Sequence, residues 1–134
     1  MIMSMRTRRA RMAALSVLLL GVAYLVQVPR LTGLAAYLGV LAGAGVAVAF
    51  LAAARLWWGG HGDGRLLATC LSVVGLVGHL LNYVAGVPGA SSIRGQVSDA
   101  SVVAVILELS TLGLLVVDAL RRPAAPQRRP PYAL

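Results

Sequence analysis

Between Asp99 and Asp118 the chain reads ASVVAVILELSTLGLLVV, and only Glu108 inside that run is charged. A run this long and apolar constrains the fold more than any other feature. About 20 such residues in a helix span the ~30 Å hydrocarbon core of a bilayer. Four segments qualify, at roughly 12–28, 32–57, 66–87 and 99–120. Backbone amides in lipid have no water to bond, so each segment is expected to be helical.

Composition agrees. Hydrophobic residues make up 59% of the 134 and charged residues 12%, against about a quarter charged in a soluble domain. Mean hydropathy is +0.84. The expected fold is an all-α integral membrane protein of one domain. Short connections favour four antiparallel helices in an up-down bundle. Pro29-Arg30-Leu31 is expected to join the first two spans, and the glycine-rich turn Gly59–Gly64 the second and third. Pro88 to Val97 forms the longest loop, and Asp99 or Ser98 can cap the last helix.

Arginine placement gives an orientation. All twelve basic residues are Arg. Arg6, Arg8, Arg9, Arg11, Arg55, Arg65, Arg121, Arg122, Arg128 and Arg129 fall on one side, and Arg30 and Arg94 on the other. The positive-inside rule then puts both termini in the cytoplasm. Residues 1–11 become a basic cytoplasmic segment. Residues 121–134, rich in Pro and Arg, become a disordered tail drawn to anionic lipid headgroups. Trp57 and Trp58 fall at the same interface, with Arg55 in snorkelling reach. The first apolar run exceeds the 7–15 residues of a signal-peptide core, so it is expected to be retained. Arg without any Lys suggests GC-rich codons, hence a bacterial cytoplasmic membrane. Charge confined to helix ends and tails argues against nucleic acid as the partner of this net +8 chain.

Two kinds of pattern lie inside the spans. The second span carries small residues four apart, Ala35, Gly39, Gly43 and Ala47, with a second row of Gly45, Ala49 and Ala53. Such rows let helix backbones approach closely in lipid. The other pattern is polar. At 100° per residue, Ser72, Asn82 and Tyr83 share a face with His79, and Ser101 and Thr111 share one with Glu108. At 1.5 Å per residue, His79 and Glu108 come out nearly level on antiparallel neighbours. With Tyr24, these residues predict a polar cluster off-centre in the bundle, on the side away from the termini. A charge at mid-bilayer costs roughly 2.5–3.5 kcal/mol on the lenient scale, so Glu108 is expected to face inward and meet His79.

Other chemistry is poorly supported. A bis-histidine haem would need a second membrane-depth His, and His61 lies in the turn. One His and one Glu make a poor tight zinc site. Lone Cys70 forms no internal disulfide. No cofactor and no metal are expected, nor a catalytic constellation. Two functional classes remain. The first is a non-catalytic accessory or assembly subunit that docks on other membrane subunits, or on itself, through the small-residue face of the second span. The second is a small proton- or cation-linked transporter or channel-like homo-oligomer using Glu108 and His79. Against the second stands the expectation that a single four-helix bundle has little interior room.

Overall fold

A computed structural model of the chain describes residues 2–58, 61–86, 88–89, 95 and 97–121, with side chains from Arg8 onward except that of His61. Among them are four helices and no strand: α1 (Ile2–Leu34), α2 (Ala36–Trp57), α3 (His61–Val84) and α4 (Asp99–Leu120). Each is long and apolar enough to cross a membrane. The tail beyond Arg121 and most of the 88–97 loop, Arg94 included, lie outside the described residues.

The helices form a closed ring in which α1 packs on α2 and α4, and α3 packs on α2 and α4. Every neighbouring pair is antiparallel. Gly21 lies on Ala49, and Arg11 on Trp57, in α1 and α2. Gly45 approaches Leu71, and Gly64 approaches Leu56, in α2 and α3. Gly75 lies beside Glu108, and Arg65 pairs with Asp118, in α3 and α4. Tyr24 meets Glu108, and Ser16 meets Thr111, in α1 and α4. The bundle therefore has a terminal end, where α1 starts and α4 stops, and an opposite end.

Both ends of α1 and both ends of α3 differ from the sequence reading. α1 does not stop at Pro29 but runs through it to Leu34. Proline removes one amide donor and crowds the preceding turn, yet membrane helices tolerate it when nearby groups take up the slack. Thr32 Oγ1 donates to the Val28 carbonyl at 2.8 Å in the turn that follows. The break falls instead at Ala35, whose extended backbone (φ −158°, ψ 133°) reverses the chain in one residue. At its other end α1 absorbs the basic segment from Ile2 onward, since Met, Arg and Ala are strong helix formers. α3 likewise takes up most of the glycine-rich turn, starting at His61. Asp63 there lies in the first turn, where a carboxylate complements the helix dipole. Residues 59 and 60 of that turn lie outside the described residues. α3 ends at Val84, before the expected 87. Gly86 takes a positive φ of 78°, and its amide returns to the Leu81 carbonyl at 3.1 Å, a glycine-terminated stop that leaves Pro88 outside the helix. The N-cap of α4 is Ser98, which accepts the Ser101 amide at 3.2 Å.

The apolar core occupies the terminal half. Ala13, Ala14 and Val17 of α1 meet Ala49, Ala52, Ala53 and Leu56 of α2, Ala68 of α3 and Leu115 of α4. Alanine dominates, so the helix axes come close, and small residues do the work of association that hydrophobic transfer does in water. The Arg65–Asp118 ion pair closes this end between α3 and α4, both side chains 14% exposed. A partly buried pair loses most when one partner is removed and the other charge is stranded. Asp118→Ala should lower stability in mild detergent by about 2 kcal/mol, less than the ~3–5 of a fully buried pair. Arg65→Ala should do much the same, and the double variant little more than either. Thermal unfolding of all four proteins checks this; simple additivity would mean that the two charges do not interact.

Candidate functional site

Glu108 is buried on α4 with 0% exposure. A carboxylate cannot stay there alone, and two helices send partners to it. Tyr24 of α1 donates its hydroxyl to Glu108 Oε1. His79 of α3 brings Nε2 to 3.8 Å from the same oxygen, the distance of an ion-pair contact and longer than a hydrogen bond. The third requirement is space, and Gly75 provides it. A Cβ at position 75 would collide with Glu108 Oε1 and the Tyr24 hydroxyl and stand 2.8 Å from the carboxylate carbon. The centre is thus assembled from three helices around a missing side chain. Glu108 Oε2 has no hydrogen-bond partner among the described residues.

One turn toward the terminal end lies a layer of hydroxyls. Ser16 and Thr111 share a hydrogen bond of 2.9 Å, and Thr111 Oγ1 also donates to the Leu107 carbonyl at 2.8 Å. Ser72 is fully buried, and its Oγ has no hydrogen-bond partner among the described residues. Below these hydroxyls the alanine-rich core seals the bundle.

The other end opens. A cavity of about 680 Å³ lies between the far halves of α1, α2 and α3, with Ser98 and Ser101 of α4 at its edge. That volume falls within the ~300–1,000 Å³ of small-molecule sites, and it lies at one end of the bundle, away from the packed core. The reason is the residue change along the helices. Alanine layers hold the terminal half together, while glycines line the other half at 45, 75 and 78. Tyr24, His79 and Gly75 form part of its floor, and the first two reach Glu108 directly. Glu108 itself lies behind these residues, out of the cavity's surface.

The remaining residues singled out from the sequence divide. Asn82 lines the cavity. Ser101 does too, but its hydroxyl is engaged with Ser98 at 2.7 Å in the α4 cap. Tyr83 does not join the cluster: one residue from the end of α3, where the bundle has opened, it is 62% exposed. The Ala35–Ala47 row splits as well. Gly39 is buried against Thr32 of α1, where a Cβ would stand 2.8 Å from the Thr32 Cβ. Gly43 has open space around it, and Ala47 is exposed. A spacing of four drifts 40° per step around a 3.6-residue helix, so a row that begins against α1 ends facing outward. The second row packs inside: Gly45 beside the Tyr24 ring, where an added Cβ would stand 3.3 Å away, and Ala49 and Ala53 in the core. Arg55, Trp57 and Trp58 are exposed at the terminal end, and the Arg11 guanidinium lies over the Trp57 ring at 5.5 Å, within cation–π range.

Sequence reasoning missed the Arg65–Asp118 pair, although the register implied it. Gly75 lies beside Glu108; ten residues before one and ten after the other give Arg65 and Asp118. Comparison with family models, curated proteins and solved structures finds no match to this chain.

Two glycines on one helix separate structure from space. Gly75→Ala forces a methyl into the carboxylate and should destabilise the protein by about 1–3 kcal/mol through overpacking. At Gly78 a Cβ meets nothing within 4 Å, so Gly78→Ala should be neutral or stabilising by up to ~1 kcal/mol from helix propensity. Thermal unfolding in detergent reads both, and equal effects would contradict the geometry.

Proposed function

We propose that this chain is a small multi-pass protein of a bacterial cytoplasmic membrane, both termini inside, in which Glu108 is a proton- or cation-exchange centre. One observation carries the reading. A fully buried carboxylate is linked through Tyr24 and His79 to a cavity that reaches the protein surface, while the other half of the bundle is closed. Ionisable groups placed this way at membrane depth are expensive and mark ion or proton paths by default. Imidazole suits the relay because its ordinary titration range brackets neutral pH. On the proposed topology the cavity faces outward. Full passage then requires either a second conformation that opens the alanine-packed half, or a path between copies of the chain.

The test uses purified protein in liposomes holding a pH-sensitive dye. An imposed potassium diffusion potential drives protons inward, and sodium uptake is measured in parallel. Ion uptake should exceed that of empty vesicles, and Glu108→Gln should lower it at least about tenfold, the loss of one essential proton-transfer group being worth roughly 10²–10⁴. Equal uptake by the two proteins, or none by either, sinks the reading.

A second reading is supported by Gly43 and Ala47, which lie on the outward side of α2 with room for a partner helix. Here the protein is a non-catalytic accessory subunit of a larger membrane complex. Native mass spectrometry after gentle extraction should then show bound larger polypeptides, lost in Gly43→Leu and kept in Glu108→Gln. Gly39→Leu would not test this, because it disrupts packing on α1.

A further inference from the structure

The cavity has two unlike sides. Its polar lining comes mainly from Tyr24, Gln27 and Arg30 of α1 with Tyr37, His79 and Asn82, whereas the rest of the wall from α2 and α3 is mostly hydrocarbon. That wall opens sideways: Leu41 of α2 and Val74 and Leu81 of α3 line the cavity and are also 62%, 69% and 55% exposed. Below Gly45 and Leu71 the two helices close, with the Gly45 Cβ position 3.9 Å from the Leu71 side chain. From that closure to Tyr37, whose hydroxyl donates to the Pro88 carbonyl, the cleft runs roughly 12 Å along α2 at 1.5 Å per residue.

The charges of the cleft select its occupant. Arg30 lines the cavity near the end of α1, is exposed, and forms no ion pair among the described residues. Among the described residues no Asp or Glu lines the cavity; Glu108 is not part of its wall, and Asp99 lies in the first turn of α4 outside it. The cleft therefore offers a cation at its mouth, near the end of a membrane-length helix, and a largely apolar slot between α2 and α3 below it. A cationic amphipath would meet Arg30 first and be repelled. We propose that the α2–α3 cleft binds one anionic phospholipid of the surrounding bilayer, its phosphate on Arg30 and one acyl chain lying between α2 and α3 as far as Gly78. The lipid shares the cavity that gives access to Glu108 in the ion-exchange reading, but its contacts use none of the atoms of Glu108.

The full-length protein is reconstituted in nanodiscs of equal parts phosphatidylglycerol and phosphatidylcholine, released in mild detergent, and examined by native mass spectrometry. The wild type should retain one lipid, enriched in phosphatidylglycerol. Arg30→Gln should keep a lipid but lose the enrichment by about fivefold, the contribution of one cationic side chain at an anionic surface. Gly78→Leu has space to fold and fills the cleft, so retained lipid of either kind should drop, while the variant's thermal unfolding stays near wild type. Glu108→Gln should keep the lipid, which makes a failure here distinct from a failure of ion exchange. Retention unchanged in Gly78→Leu, no headgroup preference in the wild type, a bound non-lipid mass, or a lipid-free dimer would each overturn the proposal.

Discussion

A carboxylate held at membrane depth is the constraint that organises this molecule. Glu108 has no water to face, so the fold must bring polar groups to it from other helices. Tyr24 and His79 do so, and both contacts demand a particular rotation and depth of α1 and α3 against α4. A hydrophobic stripe alone would tolerate sliding by a turn, because in lipid one Leu contact is worth much the same as another. The polar centre removes that freedom. Arg65–Asp118, ten residues away on both helices, repeats the same register at the terminal end, so α3 and α4 are pinned twice.

Pinning the register leaves the spacing of the helices to be set by residue size. At the terminal end, alanines from α1, α2 and α3 meet and the bundle is closed. Toward the other end the small residues become glycines that make room without filling it. At Gly75 the room is taken by the Glu108 carboxylate and the Tyr24 hydroxyl; at Gly78 it stays open to the cavity. The same residue type therefore produces a tight polar contact in one turn and a void in the next. What differs is whether the facing helix sends a long side chain.

Much of this was legible in the sequence. The four helices followed from run length, because a bilayer sets a length that composition alone must meet. The meeting of Glu108 with His79 followed from periodicity and depth, which depend only on helix geometry. What escaped was anything set by local backbone satisfaction or by lateral position. Pro29 read as a stop because proline costs a hydrogen bond, but the turn at Ala35 shows that the chain reverses where the helices must part. Tyr83 shares a helical face with His79, yet face says nothing about whether a neighbour is still there near the end of α3. Gly39 and Gly43 look alike as a repeat; the 40° drift between them separates an internal contact from an external one. The cavity was invisible because volume depends on how far α2 and α3 diverge, which no single helix encodes.

The position of Glu108 behind the cavity, and not in its wall, restricts what the centre can do. A ligand in the cavity touches Tyr24 or His79 first, and the carboxylate can respond only through them. A bare ion moving through the cavity would therefore reach the carboxylate only by displacing the Tyr24 hydroxyl or the imidazole, whereas a proton can be handed along both. Oε1 already carries the Tyr24 hydrogen bond, and Oε2 is the oxygen without a protein donor among the described residues. On the proposed reading, a proton taken up at Oε2 would break no existing bond, whereas the imidazole of His79 lies nearest to Oε1. That asymmetry between the two oxygens favours proton exchange over capture of a metal cation, for which both oxygens and several further oxygen ligands would have to turn toward one point.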